Sequence, residues 1–550
     1  MEGFGSMLRN PWKMVLPAIV IAAIAGFLLA TRLPRFDAAV DPARAESSAS
    51  QTNSAKKISS APLPQAHTAQ LKKITPPQGA IRNEMLLRFG NAAAMQKFLD
   101  QAARAGARVL GIIPGLNAVR IGFDTPEKAA EIRALAPDSA EVGFNYVAAL
   151  PGAPDPAKQD PGGPYVAFGS HALDWLGVPA NNETWGAGVK VAVLDTGIIP
   201  VPGLTQKSIT TLDLTGQAGG ISGDLRHGTA MASIIASDSP DAPGIAPAAQ
   251  LLSIAVLDGN GTGDSFTVAQ GIMDAVDSGA RVISMSLGSE GDSSILRDAV
   301  EYALAHNVAI VAAVGNEGTG SVSYPARYPG VIGVTAVDAN GQRAQFANYG
   351  EGVAIAAPGI GVYTPWTSDT VLNSSGTSPA VPFVSGALTA ILSQNPGMSV
   401  QTATSLLLQY ANDAGAPGTD PMYGTGILNL DRVINRNQAG INDAAVADVY
   451  YGTISGQGET PVLAVTVQNR GTTSLYNVEL NVTAGGQTRT FYFNALGTGE
   501  VKSGIVPVNP VQLQSGVDVS SRVTLDGVQD AKPANDTKSV VLKTKSTTGQ

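Results

Sequence analysis

Three residue types that together perform nucleophilic catalysis recur in this chain, each inside a glycine-bearing run. Asp195 lies in Asp195-Thr196-Gly197, His227 in His227-Gly228-Thr229, and Ser378 in Gly376-Thr377-Ser378. A serine hydroxyl becomes a nucleophile when an imidazole takes its proton, and a carboxylate holds that imidazole in the correct tautomer. Histidine, with an ordinary pKa of about 6.5, is suited to the task near neutral pH. Only four histidines occur in the 550 residues: His67, His171, His227 and His306. Of these, His227 alone has an aspartate motif before it and a serine motif after it. The 32 residues between Asp195 and His227 allow one excursion through a helix and back. Asp-Thr-Gly also fits the aspartic protease signature, but that chemistry needs a second such motif, and the sequence has none.

The elements around these residues place them at the edge of a sheet. Val189–Leu194, Gln250–Leu257, Arg281–Met285, Val308–Val314 and Val331–Val337 are short, β-branched apolar runs, each followed by a turn or a helical pattern. That alternation predicts a doubly wound parallel sheet over residues 165–436. Asp195 ends the first strand, at the carboxyl edge where sites assemble in such sheets. His227 opens a helical stretch. Ser378 precedes another, Ala380–Leu392, where free N–H groups and the positive end of the helix dipole favour negative charge. Pro379 removes one donor, so an oxyanion would rely on the N–H of Ser378 and on a further group. The side-chain amide of Asn316, in AAVGNEG at 312–318, is the candidate.

The matching runs resemble the subtilisin-type serine proteases, the subtilases. They are VAVLDTG at 191–197, HGTAMAS at 227–233, SMSLG at 284–288, AAVGNEG at 312–318 and SGTSPAVPFVSG at 375–386, with GIAPAAQL at 244–251, YPARYPGVIGVTAVD at 324–338 and YGTGILNLDR at 423–432 beside them. The resemblance covers about half the chain. It implies Ser378 as nucleophile, His227 as general base and then acid, Asp195 as its orienter, and Asn316 with the Ser378 N–H as oxyanion donors. It also implies a serine endopeptidase that binds an extended polypeptide along Ser284, Met285, Ser286, Leu287 and Gly288. The pocket before the scissile bond would be walled by Ala312, Ala313, Val314 and Gly315. Sedolisins, with glutamate in place of His227, fit less well. Ala230 and Phe383 stand where the family often has histidines. The family often carries a calcium loop near 232–244; Asp238 and Asp241 are there, but no matching loop is, so no cofactor is expected.

The remaining sequence divides around this domain. Met14–Ala30 is an uncharged apolar run with Arg9 and Lys13 before it and Arg32 and Arg35 after it, within an N-terminal signal or anchor segment, 1–36. At 17 residues it is slightly short for a spanning helix and long for a signal peptide. It predicts an exported protein, either anchored in a membrane through 14–30 or secreted after cleavage. Residues 37–80 read as a solvated linker. Residues 81–150 have the order βαββαβ, with Asn91 and Thr125 as helix N-caps, and predict a ferredoxin-like α+β unit. With the resemblance, this unit becomes a propeptide: an intramolecular inhibitor whose Phe144–Val147 lies near the site, removed by the enzyme itself within 147–165, a range that includes a linker at 151–164.

From Ile441 the pattern changes to period two, and 441–545 predict an all-β sandwich of immunoglobulin type with no titratable cluster. The chain contains no cysteine, which excludes disulfides and thiolate catalysis, and its net charge of −9 includes no basic stripe that would suit nucleic acid. Two other readings share these features: a catalytically silent relative acting in binding or adhesion, and a serine hydrolase acting on esters.

Overall fold

The computed structural model describes residues 76–153, 165–205, 207, 209–216, 224–365, 371–452, 462–507 and 516–542. All of them belong to one compact unit, 63–550. The apolar run 14–30 and the linker before residue 76 lie outside the described residues. Among the described residues no helix is long and apolar enough to cross a membrane.

The N-terminal part is a four-stranded antiparallel sheet with two helices. Its strands are β1 (Glu84–Arg88), β2 (Arg108–Ile113), β3 (Ala118–Gly122) and β4 (Glu141–Gly143), in the order β2-β3-β1-β4. Helix α1 (Ala92–Arg104) starts where Asn91 Oδ1 accepts the Ala94 N–H at 2.9 Å, and α2 (Pro126–Arg133) where Thr125 Oγ1 accepts that of Lys128. Phe89, Met95, Phe98, Val119, Ile121 and Ile132 form a core of their own.

One expectation fails in this region. The last strand of the expected βαββαβ order is not continuous: it splits into β4, which pairs with β1, and β5 (Val147–Ala149), which pairs elsewhere. Asn145 sits at the break. Its side chain is fully buried, joining Glu84 of β1 to Ser265 and Phe266, and Tyr146 beyond it bridges to Ala80, ahead of β1.

The central part is a seven-stranded, wholly parallel sheet. Its strands are β6 (Lys190–Asp195), β7 (Ile209–Asp213), β8 (Gln250–Ala255), β10 (Val282–Met285), β11 (Ala309–Ala313), β12 (Ile332–Val337) and β13 (Val353–Pro358), after the short β9 (Thr262–Asp264) that lies outside it. The order is β13-β12-β11-β10-β6-β8-β7. From β6 the chain first builds toward one edge, then crosses back to build the other, so the switch point lies between β6 and β10, where a crevice opens in sheets of this kind.

Five of these strands are those expected. The two edge strands escape prediction because β7 (ITTLD) is polar and half exposed and β13 follows a glycine-rich turn. Helices α3 (Ala172–Leu176), α4 (Arg226–Ala236), α7 (Thr377–Gln394) and α8 (Val400–Gln409) line one face; α5 (Ser265–Asp277) and α6 (Ser294–Ala305) line the other. Thr377 to Leu392 of α7 are buried without exception, which explains why this helix lacks an amphipathic stripe. A hairpin, β14 (Val362–Pro365) and β15 (Val371–Ser374), leads into α7, and α9 (Leu430–Asn435) closes the domain.

The C-terminal part is two antiparallel sheets packed on a shared core: β16 (Ala444–Gly452), β17 (Val462–Asn469) and β20 (Val501–Val506) in one, and β18 (Leu475–Ala484), β19 (Gln487–Leu496), β21 (Val517–Leu525) and β22 (Thr537–Leu542) in the other. Here β16 and β20 are the strands the alternation does not reveal. The first is alanine-rich and carries a bulge between Val446 and Asp448; the second is half exposed.

Candidate active site

Asp195 ends the buried strand β6 with 1% of its surface exposed, and its Oδ1 accepts the Thr196 N–H at 2.7 Å. His227 is the second residue of α4. Its Nδ1 donates to Asp195 Oδ1 and Oδ2, at 2.9 and 3.0 Å. An ionised carboxylate only accepts, so this contact fixes the neutral imidazole with its proton on Nδ1 and a lone pair on Nε2. The aspartate and histidine motifs also lock together through their threonines, which accept from backbone N–H groups. Gly228 N donates to Thr196 Oγ1 at 3.3 Å, and Ile199 N to Thr229 Oγ1 at 3.0 Å. A Cβ on Gly228 would collide with Gly197 O and Asp195 Cβ, so glycine is required for α4 to approach β6 this closely.

Burial by itself opposes the imidazolium. The Asp195 carboxylate outweighs it, by charge and by hydrogen bond, and Asp224 adds to it, so the His227 pKa lies above its ordinary value. Asp224 is held by Arg226 through a bidentate ion pair two residues along the chain.

Ser378 is the second residue of α7 and is 6% exposed. Its Oγ donates at 3.5 Å to Ser286 O, while Ser286 Oγ donates at 2.9 Å to Ser378 O, fastening the chain beyond β10 to the start of the helix. Among the described residues no hydrogen bond joins Ser378 to His227. Such contacts commonly tighten only when substrate is bound.

Asn316 follows β11. Its Oδ1 accepts from both the backbone N–H and the hydroxyl of Thr377, each at 2.9 Å, so the amide cannot flip. Its Nδ2 is thereby aimed outward and donates to Gly152 O at 2.9 Å. A Cβ built on Gly376 would lie 3.2 Å from Asn316 Nδ2 and 3.7 Å from Ser378 N, so both candidate oxyanion donors flank this glycine.

The chain itself occupies the cleft. β5 pairs antiparallel with β9, Ala149 exchanges two 2.9 Å hydrogen bonds with Gly288, and Leu150 N donates to Gly261 O at 3.0 Å. Residues 147–150 therefore form a strand between two backbone rails. The segment that enters is 147–152, later than the expected Phe144–Val147. Asn145 and Tyr146 instead cap α5: Asn145 Oδ1 accepts from Ser265 Oγ and Phe266 N, and Tyr146 O from Ser265 N. Arg120 bridges Glu84 and Asp264 at the same place.

The expected peptide-binding residues fall in different settings. Ser284 and Met285 lie in β10, an interior strand of the parallel sheet, and Ser286 and Leu287 are buried just beyond its end. Gly288 is the residue that pairs with the incoming strand. Ala312, Ala313 and Val314 are fully buried, while Gly315 lines the cleft beside a cavity of about 300 Å³. The second rail, Gly261–Asp264, is missing from the sequence-based set. The glycine spacing of Gly259, Gly261 and Gly263 was the signal for it.

The other described histidines lie elsewhere. His171 is 82% exposed, and His306 bonds the backbone at the end of α6. Ala230 and Phe383 are buried in the apolar core. Asp238 pairs with Lys207 at 3.0 Å. Among the described residues no group of three or more His, Cys, Asp or Glu is placed to hold a metal.

A doubly wound sheet with an aspartate, a histidine and a serine at its switch point is the arrangement of an α/β serine hydrolase. The family model of the Subtilase family, peptidase S8, matches residues 186–426. Subtilisin Savinase of Lederbergia lenta is 39% identical over 254 residues, which are 46% of this chain and 92% of that protein. The Alkaline protease of Shouchella clausii is also 39% identical over 254 residues, 46% of this chain and 65% of its own length. The Thermostable alkaline protease of Halalkalibacterium halodurans is 39% identical over 260 residues, 46% of this chain and 69% of its length. Among solved structures, the protease domain of PatA, in mutant form, aligns with a TM-score of 0.43 and 29% identity, over 46% of this chain and 97% of that one. This chain belongs to the subtilase family of serine proteases.

Proposed function

We propose that the protein is an exported serine endopeptidase made as a zymogen, with Asp195, His227 and Ser378 as its triad. The observation that carries this reading is the Asp195–His227 pair at 2.9 and 3.0 Å, facing a cleft where the Asn316 amide already holds a peptide carbonyl at 2.9 Å. In the reaction His227 Nε2 takes the Ser378 hydroxyl proton as Oγ attacks the scissile carbonyl. Asn316 Nδ2 and the Ser378 N–H stabilise the oxyanion. The protonated imidazole then returns its proton to the leaving amine, and water hydrolyses the acyl-enzyme by the same steps reversed. Asp195 keeps the ring in the working tautomer. The substrate is an extended polypeptide added as a strand between Gly261–Asp264 and Gly288, which gives affinity with little dependence on sequence.

Residues 81–150 act as a propeptide that inhibits in place and is removed by self-processing within 147–165. The capping of α5 by Asn145 and Tyr146, and the Arg120 bridge, support this role. The two-sheet unit at 441–545 is of immunoglobulin type and serves in spacing or docking. The apolar run 14–30 directs export, retained as an anchor or cleaved. Fluorophosphonate labelling and casein hydrolysis test the whole reading. Both should occur in the matured wild type and vanish in Ser378→Ala, which should accumulate as an uncleaved precursor. A protein that neither labels nor cleaves is instead a silent binding module, and one that labels but hydrolyses only esters is not a peptidase.

A further inference from the structure

Resting on that reading, we infer that the first bond the protein opens in itself is Gly152–Ala153, the junction between the strand held in the cleft and the chain leading to the protease domain. Gly152 O is the carbonyl that receives the Asn316 amide, at 2.9 Å, and that amide is clamped by two bonds to Thr377. A donor fixed in this way stabilises charge only on the oxygen it already touches, so the carbonyl in its reach is the one attacked. The residues before it are aligned by backbone alone: β5 along β9, Ala149 with Gly288 on both sides of its peptide, and Leu150 with Gly261. Pro151, with its fixed φ, then carries the chain from these rails to the amide. Gly152 and Ala153 are both exposed, so the leaving side is open to water. A Cβ on Gly152 would meet nothing within 4 Å, so no side chain crowds the carbonyl.

The step balances simply. Ser378 Oγ bonds to the Gly152 carbonyl carbon, the Gly152–Ala153 C–N bond breaks, and the serine proton passes through His227 to the nitrogen of Ala153. Water then releases Gly152 as a carboxylate and restores the serine. The new carboxylate stays beside Asn316 while the strand 147–150 keeps its rails, so cleavage alone does not empty the cleft.

Intact-mass measurement on the full chain, quenched through a time course of maturation, tests the inference. The first complementary pair of fragments should end at Gly152 and begin at Ala153; species beginning farther along should follow as later trimming. A first pair meeting at any other bond overturns it. Ala153→Pro, which makes the scissile amide tertiary, should abolish or greatly slow that first pair; a first cleavage that proceeds at the wild-type rate at another bond would also overturn the inference. Ser378→Ala separates the two levels. If it matures when pure, the protease reading fails; if it stays intact while the wild type opens elsewhere, only the choice of bond fails.

Discussion

Two nearly sealed aspartates mark opposite ends of the protease domain, and they show how differently one residue type can be used. Asp195 is 1% exposed and Asp413 is 3% exposed. Asp195 faces a titratable partner, His227, at the mouth of a cleft. Asp413 faces the C-terminal sheets in the loop after α8. Its Oδ1 accepts the Gly418 N–H at 2.8 Å, and its Oδ2 is buried without a hydrogen-bond partner, as is that of Asp420 nearby. Gln468 Oε1 accepts the Asp413 N–H at 3.0 Å, and Asp448 Oδ2 accepts that of Gly415 at 2.8 Å, so the sandwich caps the same loop from its side.

Burial drives the Asp413 pKa up to about 7, with Asp420 and Asp448 adding to it and the Gly418 N–H and Arg470 opposing. Asp420 is raised for the same first reason. A buried carboxylate is thus fitted for catalysis only where the fold gives it a titratable partner and an opening. Elsewhere it holds a loop, at a cost that rises with pH.

The sharpest way to break the comparison is to remove one residue from each side of it. Ser378→Ala should lower peptide hydrolysis on the order of 10⁶-fold, and Asp195→Asn on the order of 10⁴-fold, figures that themselves come from subtilisin and trypsin. Asp413→Asn should leave kcat within about twofold on casein, since nothing at that loop touches substrate. If Asp413→Asn abolished activity in a folded protein, the distinction would collapse. Next in size, Asn316→Ala should cost about 10²–10³-fold in kcat with little change in KM, again a magnitude known from subtilisin, because the amide acts on charge that develops only in the transition state.

The pH dependences should run differently. Because the folded His227 pKa lies above its ordinary value, the imidazolium is favoured by the fold. That stabilisation is complete below about pH 6.5 and is lost as pH rises through the folded value. The base works only when neutral, so kcat/KM should rise along a limb whose midpoint lies above about 6.5. Asp195→Asn should move that midpoint down.

Asp413 is an acid with a raised pKa, so its sign is that of a stability lost on ionisation. The contribution is full below about pH 4 and disappears as pH rises through about 7. Thermal unfolding should therefore show a loss of a few kcal/mol between pH 5 and 8. Asp413→Asn should flatten that slope and raise stability at pH 8 by about 1–3 kcal/mol. A wild type equally stable across this range would remove the contrast between the two aspartates.

The chemistry proposed for the site was legible because each residue of the proposed triad sits in a run whose neighbours are dictated locally. A buried β-branched strand must end where Asp195 stands, Gly228 is demanded by the approach of α4, and Ser378 opens a helix that is apolar on every side. Local periodicity likewise gave five of the seven parallel strands and the caps Asn91 and Thr125. It missed β7, β13, β16 and β20, whose polarity, alanine content or exposure hides the alternation.

What the sequence by itself determined is the set of candidate reacting groups and the layered architecture that carries them, because motifs and hydrophobic periods are local properties. Only the tertiary structure decided which residues meet across long separations. It divided 141–150 between two sheets, moved the cleft-filling segment to 147–152, and set Gly261–Asp264 and Gly288 on either side of it. It also joined Asp413 to Asp420, Asp448 and Gln468. Backbone hydrogen bonds across a cleft and the burial of a distant carboxylate depend on which surfaces pack together, and no window of the sequence contains both partners.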